Sequence, residues 1–247
     1  MDDILWNIPE QKTGILQLVG GHSGSFATEI KLAEFLNTLP LKEVRLTLPD
    51  SLRGKLPPLP GINFAPATDS GSFDKSAELC TAFADADLTL IAGDLSKNSA
   101  TAIATVEALK LSGKPTVITR DAIDLITSEA TNLIEHPGLI LIASMAQLQK
   151  LFRTLYYPKM LMLSAPIQQI EETLHKFTLS YPCTILALHE GQLITAHGGR
   201  TTKTPLNKTP YTAVSLWSGQ LACRVAALNL WNPNRPLDAT VAALTWQ

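Results

Sequence analysis

The chain has 247 residues, of which 45% are hydrophobic and 17% charged, and its formal net charge is −2. These proportions provide a buried core and exclude a disordered chain. No basic run is present, so nucleic-acid binding has no electrostatic support. No apolar stretch reaches the ~18 residues that a membrane span needs. The acidic start, Met1–Asp3, and three separated cysteines without a CxxC pair predict free thiols and a cytoplasmic protein.

Short apolar runs alternate with longer amphipathic ones along the chain. The predicted strands are Ile15–Val19, Val44–Leu48, Ile62–Phe64, Leu88–Ala92, Thr116–Thr119, Leu139–Ala143, Met160–Leu163, Thr184–Leu188 and Gln192–Thr195. The predicted helices are Phe26–Leu39, Phe73–Ala84, Asn98–Leu111, Met145–Leu155, Ile167–Leu179, Gly219–Leu230 and Pro236–Leu244. The turn at Glu190–Gly191 indicates a hairpin of the last strands.

This alternation predicts an α/β fold of three layers, with a mostly parallel central sheet covered by helices on both faces. No linker-like composition and no internal repeat divide the sequence, so we expect one domain over residues 1–247. In such a sheet ligands bind beyond the carboxyl ends of the strands, where helix N-termini present unpaired amides. The loops concerned are Gly20–Ser25, Gly93–Asn98, Arg120–Asp124, Ser144–Gln147 and Ser215–Gln220.

Two of these loops have both a structural and a functional interpretation. Gly20–Ser25 is either a strand–helix turn with Ser25 as the helix cap, or a loop whose backbone closes around a ligand. It matches neither GxGxxG nor the P-loop pattern. Asp94 and Ser96 either cap the next helix or face a ligand hydroxyl.

Asp121 and Asp124 lie three residues apart after a strand, so one helical turn would place both on one face. Two carboxylates there could act as acid and base or hold a metal. Alternatively, Asp121 caps a short helix and Asp124 is solvated. The five histidines show no HxH or HExxH spacing, so we expect no zinc site, and His175 is predicted at the surface.

With the loops in this order, the chain resembles the ribokinase-like superfamily, and within it the ADP/ATP-dependent NAD(P)H-hydrate dehydratases. The segment Ala86–Leu95 is similar to the family's aDalviGPGLG, and Lys114–Ile126 is similar to kPvVlDADALNLL. Lys12–Ser23 resembles the family's opening strand and GGS loop. Leu221–Leu228 and Pro236–Ala239 resemble its closing helices.

The resemblance implies a damaged NAD(P)H hydrate above the carboxyl edge of the sheet, and ADP or ATP with Mg²⁺ beside the last helix. It also implies self-association, since family members often form tetramers. Residues implied to bind the substrate are Gly20, Gly21, His22, Ser23, Gly93, Asp94 and Asp124. Residues implied to bind the nucleotide are His189, Ser218, Gly219 and Gln220.

The sequence departs from the family where the chemistry occurs. The family's GxGD motif supplies backbone amides for phosphoryl transfer and an aspartate that takes the hydroxyl proton. Here the position of that base is Gln220 or, shifted by one, Gly219, and neither accepts a proton at neutral pH. We therefore expect weak or lost activity, with Asp121 as the catalytic candidate if turnover remains. The alternative is a non-catalytic protein of the same fold that binds a nucleotide or metabolite.

Overall fold

One sheet contains the nine strands of the described residues. The protein is represented by a computed structural model that describes residues 9, 11–56 and 60–246. The strands are β1 (Ile15–Val19), β2 (Glu43–Pro49), β3 (Ile62–Ala65), β4 (Leu88–Ile91), β5 (Thr116–Thr119), β6 (Leu139–Ile142), β7 (Cys183–His189), β8 (Gln192–His197) and β9 (Arg200–Pro205). Their spatial order is β3-β2-β1-β4-β5-β6-β7-β8-β9. The pairs from β3 to β7 are parallel, and β8 and β9 join antiparallel.

Helices cover both faces of this sheet. They are α1 (Ala27–Leu36), α2 (Ala77–Ala84), α3 (Ser99–Ser112), α4 (Asp121–Ile126), α5 (Ala130–Leu133), α6 (Met145–Thr154), α7 (Ile167–Ser180), α8 (Gln220–Trp231) and α9 (Pro236–Ala243). Apolar residues of α1, α8 and α9 form one hydrophobic core, and those of α2 to α7 form the other. The predicted three-layer α/β architecture is confirmed.

The inner strands of the sheet are buried because they lie between these two cores. Every residue of β4, β5 and β6 is buried, as expected for parallel strands with helices on both faces. The hairpin of β7 and β8 turns at Glu190 and Gly191, both in the left-handed region that a tight hairpin turn requires. The predicted hairpin is therefore confirmed.

Two predictions about elements are wrong, and one strand was missed. Met160–Leu163 forms no strand, and Met160 and Leu163 are 71% and 55% exposed. The helix predicted from Phe73 begins only at Ala77, where the Ser76 hydroxyl accepts a hydrogen bond from the Leu79 amide at 3.1 Å. The edge strand β9 was not predicted, because its threonines show no apolar alternation.

Three details of capping and exposure also differ from expectation. Helix α1 is preceded by Phe26 at the cap position and has no side-chain cap, so Ser25 does not cap it. His175 is half-buried, and its Nδ1 contacts the carbonyl oxygen of Gly199. Helix α3 is capped by Asn98, whose side chain accepts from the Ala100 amide at 2.8 Å, and not by Asp94 or Ser96. Within the described residues, no helix combines the length and apolar character needed to cross a bilayer.

Candidate active site at the carboxyl edge

The strand order reverses between β1 and β4. The chain leaves β1 toward β2 on one side and leaves β4 toward β5 on the other, although β1 and β4 are paired neighbours. Loops that diverge from adjacent parallel strands leave a crevice at the carboxyl edge, which is where ligands bind in open α/β sheets. The loops at this point are Gly20–Ser25 and Gly93–Asn98, two of the loops predicted from the sequence.

A histidine–aspartate contact joins these two loops. His22 Nε2 lies 3.1 Å from Asp94 Oδ2, while His22 Nδ1 accepts a hydrogen bond from the Gly24 amide at 3.1 Å. Because Nδ1 is an acceptor, the hydrogen of the neutral ring is on Nε2 and is donated to Asp94. Asp94 Oδ1 accepts from the Ser96 amide at 2.9 Å. The contact orients both side chains, as a ligand-binding pair would require.

The glycines of the two loops are required by close packing. A side chain on Gly20 would begin 2.2 Å from the carbonyl oxygen of Ala92. Gly21 and Gly93 have φ values of +83° and +93°, which favour glycine. Ser23, by contrast, donates its amide to Gly71 and its hydroxyl to Ser70, so it fastens the loop to the segment before α2.

Beneath these loops lies a buried carboxyl group that the sequence analysis did not single out. Glu29, in the first turn of α1, is 0% exposed, and neither carboxyl oxygen has a hydrogen-bond partner among the described residues. Burial raises the pKa of Glu29 to about 7. The backbone N–H groups of Glu29 and Asp94, which are near the carboxyl group but do not form hydrogen bonds of normal geometry with it, and the charge of Arg120 lower this pKa in part, whereas the charge of Asp94 raises it. Unpaired buried polar atoms are rare in folded proteins and often mark functional sites.

Arg120 approaches the same region from the end of β5. Its backbone has φ +59° and ψ −143°, a conformation that costs a residue with a side chain about 1–3 kcal/mol. Its guanidinium Nη1 donates to the carbonyl oxygen of Trp217, and its buried Nε has no partner in the described part of the chain. The Arg120 guanidinium therefore lies beside the segment that precedes α8.

Helix α8 begins directly after a left-handed glycine. Gly219 has φ +96°, and Gln220 is the first helical residue. A side chain on Gly219 would begin 2.8 Å from Leu32 of α1, one turn beyond Glu29. The backbone N–H of Gln220 donates to the Ser218 hydroxyl at 3.4 Å, and the first turn of α8 contains no acidic residue. Positively polarised amides are thus present at this helix start, whereas a carboxylate base is absent from it.

A cleft of about 620 Å³, which we call the aspartate cleft, opens beside Asp94, between the loop after β4 and helices α4 and α6. It brings together the three predicted aspartates Asp94, Asp121 and Asp124, along with Lys97 and Lys150. Asp121 is exposed and lies at the start of α4, where Arg120 holds the cap position.

The Asp124 carboxylate makes side-chain contacts with α6. It accepts from Gln147 Nε2 at 2.7 Å and pairs with Lys150 at 3.3 Å, which ties α4 to α6. Gln147 also completes a capping box with Ser144 at the start of α6. Of the two predicted carboxylates, Asp121 is the one whose oxygens are free of such contacts among the described residues.

His189 is the predicted nucleotide-binding residue on strand β7. It is buried at the end of β7, and its Nε2 lies 2.7 Å from the carbonyl oxygen of Ala165, in the segment before α7. The structure therefore brings together Gly20, His22, Gly93 and Asp94, and separately Ser218, Gly219 and Gln220. His189 makes its hydrogen bond to the segment before α7.

Comparison with known proteins identifies the fold. No protein-family model matches the sequence, and no curated protein matches it. The ribokinase from Arabidopsis thaliana, complexed with ribose and ATP, is 12% identical over 94% of this chain and 92% of its own, with a TM-score of 0.60. A hydroxyethylthiazole kinase from Pyrococcus horikoshii is 15% identical over 94% and 76%, with a TM-score of 0.61.

A ribokinase-like superfamily protein from Enterococcus faecalis gives the same result, at 15% identity, with 92% of this chain and 76% of that chain covered and a TM-score of 0.60. The chain therefore has the ribokinase-like fold, and its structural neighbours include small-molecule kinases. At these identities the likeness establishes the fold alone.

Glu29 and Arg120 are the two site residues that the sequence analysis missed. Helical spacing could have revealed the first, since Glu29, Leu32 and Leu36 fall at i, i+3 and i+7 and form the buried face of α1. Arg120 carries no such signal, because its importance depends on a backbone conformation and on a contact 97 residues away in the chain.

Proposed function

We propose that this protein is a divergent relative of the ADP/ATP-dependent NAD(P)H-hydrate dehydratases that binds a nucleotide-like ligand at the carboxyl edge and has weak or lost activity. The observation that carries the proposal is the start of α8, where a left-handed Gly219 is followed by Gln220. The family places its aspartate base at this point.

Ligand binding is supported by the groups around this helix start. Helix α8 is 12 residues long, so its first amides carry the positive end of a substantial dipole. The Arg120 guanidinium, held at the Trp217 carbonyl, adds a positive charge nearby. A phosphate group is the ligand chemistry that such an arrangement favours.

Weak turnover follows from the missing carboxylate. A positioned general base contributes a factor of about 10²–10⁴ in rate. The side-chain amide of Gln220 cannot accept the proton in its place. Glu29 is a carboxyl group in the neighbourhood, but it is covered by the glycine loops. Asp121, exposed in the aspartate cleft, is the residue we assign to any residual proton transfer.

The proposed cofactor is ADP or ATP with Mg²⁺. Within the described residues, no cluster of three or more His, Cys, Asp or Glu side chains could hold a metal ion. Mg²⁺ commonly enters such sites on nucleotide phosphates, with one or two carboxylates completing its shell. Asp94 is the side chain of the cleft suited to that role, since Asp121 is assigned to proton transfer, and the ion would neutralise phosphate charge there.

A second candidate function is a non-catalytic protein of this fold that binds a nucleotide or metabolite. The contacts of Asp124 with Gln147 and Lys150 favour it, because they give a structural role to a carboxylate that the resemblance assigns to the substrate.

Melting curves with ATP, ADP, AMP and NAD(P)H, with and without magnesium, test both functions. A ligand at 100 times its dissociation constant adds about 2.7 kcal/mol to stability. Stabilisation by a nucleotide with slow or no conversion of NAD(P)H hydrate is the expected result. Rapid conversion by the wild-type protein would contradict impaired chemistry, and no stabilisation by any of these compounds would contradict ligand binding.

A further inference from the structure

A second polar surface lies away from the carboxyl edge, on the face of the sheet next to α2. Register pairs Gln17 of β1 with Arg45 of β2, and Thr47 of β2 with Asn63 of β3. These four side chains line a groove of about 580 Å³ between the three strands and α2. Strands covered by helices on both faces normally present apolar residues, so four polar neighbours here require an explanation.

The floor of the groove contains an unsatisfied amide oxygen. Gln17 is 0% exposed, and its Nε2 lies 2.8 Å from the Leu18 carbonyl oxygen, 2.9 Å from Thr47 Oγ1 and, at a longer 3.3 Å, from the Arg45 carbonyl oxygen. The carbonyl acceptor defines which amide atom is nitrogen. Oε1 is then buried with no partner among the described residues. A buried acceptor left unpaired costs about 1–3 kcal/mol, which a donor in the groove would offset.

The same floor also offers a donor. Thr47 is 2% exposed, and its hydroxyl oxygen accepts from Gln17, which leaves its hydrogen available to a further acceptor. An acceptor and a donor are thus neighbours at the bottom of the groove. A single hydroxyl group can donate to the first and accept from the second. A carboxylate or phosphate oxygen cannot donate, and an ammonium group cannot accept.

The charges around the groove do not select an anion. Its lining contains Arg45 and Arg53 but also Glu78 and Asp85, so its formal charge is balanced. Arg45 is already paired with Glu43 at 2.7 Å, and Arg53 lies 4.9 Å above the ring of Phe64. A neutral ligand with several hydroxyl groups matches this mixed set of donors and acceptors better than a charged one.

We propose that this groove binds a small neutral polyhydroxyl compound, a free sugar or the ribose of a nucleoside, with one hydroxyl between Gln17 and Thr47. The site is separate from the carboxyl edge and does not depend on the function proposed there. Asn63, exposed at the rim, supplies a further amide to the ligand.

Titration calorimetry of the full chain with D-ribose, D-glucose and adenosine tests the proposal. At least one should bind, and Gln17→Leu should weaken it by about tenfold through loss of the buried acceptor. Asn63→Ala, an exposed change that leaves the core intact, should also weaken binding and serves if Gln17→Leu does not fold. Asp121→Asn, in the aspartate cleft, should leave binding unchanged.

Tighter binding of adenosine than of ribose would identify a nucleoside, and the reverse order a free sugar. The proposal is overturned if none of the three compounds binds at millimolar concentration, since water alone then satisfies Gln17. It is equally overturned if binding survives both groove variants or is lost in Asp121→Asn, which would place the ligand at the carboxyl edge.

Discussion

The carboxyl group of Glu29 occupies the space that a side chain on Gly93 would need. A Cβ atom built on Gly93 would lie 1.6 Å from Glu29 Oε1. The loop after β4 and the first turn of α1 therefore depend on each other, although they are 64 positions apart in the sequence. Burial of an unpaired acid at this junction has consequences for stability that can be measured.

Glu29→Gln should change how stability depends on pH. The pKa of Glu29 is about 7 in the folded protein against 4.5 for the ordinary group. Between these values the folded state binds more protons than the unfolded state, so wild-type stability should fall as pH rises from 4.5 to 7. At 1.36 kcal/mol per pKa unit, the loss amounts to about 3 kcal/mol.

Urea unfolding between pH 5 and pH 8 measures this effect. Glu29→Gln, neutral throughout, should be more stable than wild type at pH 8 and similar to it at pH 5. Glu34→Gln, an exposed change on the same helix, should keep the wild-type pH dependence. Parallel pH curves for wild type and Glu29→Gln would contradict the raised pKa.

Gly93→Ala should destabilise the protein by more than about 2 kcal/mol, because the new methyl group meets Glu29 and the residue has φ +93°. In the double variant with Glu29→Ala, the clash is relieved and only the left-handed cost of about 1–2 kcal/mol should remain. Thermal unfolding measures both. Gly54→Ala, with no atom within 4 Å of the new Cβ, is the matched control. A tolerated Gly93→Ala would show that α1 can shift away.

The strained backbone of Arg120 predicts which of two substitutions at this position gives the more stable protein. At φ +59° and ψ −143° a glycine is unstrained, whereas any side chain costs about 1–3 kcal/mol. Arg120→Gly should therefore be more stable than Arg120→Ala by about that amount in urea unfolding, although both lose the contact with Trp217. Equal stability of the two variants would mean that the segment relaxes to an ordinary conformation once the guanidinium is removed.

Substitution of the two aspartates of α4 should have different effects, one on stability and the other on turnover. Asp124→Ala loses its contacts with Gln147 and Lys150 and should lower stability by about 1 kcal/mol. Asp121→Ala should change the free energy of unfolding by less than about 0.5 kcal/mol and should abolish any residual turnover. Thermal unfolding and a turnover assay on both variants provide the check. Unchanged turnover in Asp121→Ala would remove this residue from the mechanism.

Gln220→Asp should increase nucleotide-dependent turnover of NAD(P)H hydrate about 100-fold or more by restoring a carboxylate at the start of α8. The position tolerates a side chain, in contrast to Gly219, which faces Leu32 with φ +96°. Gln220→Asn, which matches the shape without the charge, should show no gain. Equal rates for the two variants would show that more than the base has been lost.

The layers of the fold could be predicted because β4, β5 and β6 consist of aliphatic residues and threonine without any charged residue, which is typical of strands buried between two helical layers. The same criterion misled at Met160–Leu163, an apolar run that remains largely exposed. It missed β9 because an edge strand needs no apolar face.

The site was only partly predictable for a related reason. The loops after β1 and β4 can be recognised in the sequence by their glycines, and His22 and Asp94 lie in them. The roles of Glu29 and Arg120 depend instead on distances between segments that are far apart in the sequence. Local patterns contain no information on such distances, whereas they do specify turns and helix faces.

The central position of β1 also bears on synthesis. Strand β1 pairs with β2 on one side and β4 on the other, and α8, about 200 residues later in the sequence, packs on β1, β4 and β5. Until residues 220–231 emerge, α1 is the helix available to cover that side of the nascent sheet, and it packs mainly on β1 and β2. We expect a chain arrested before α8 to expose the leucines of β1 and β4 and to recruit chaperones, and the N-terminal half alone to fail as an independently folding fragment.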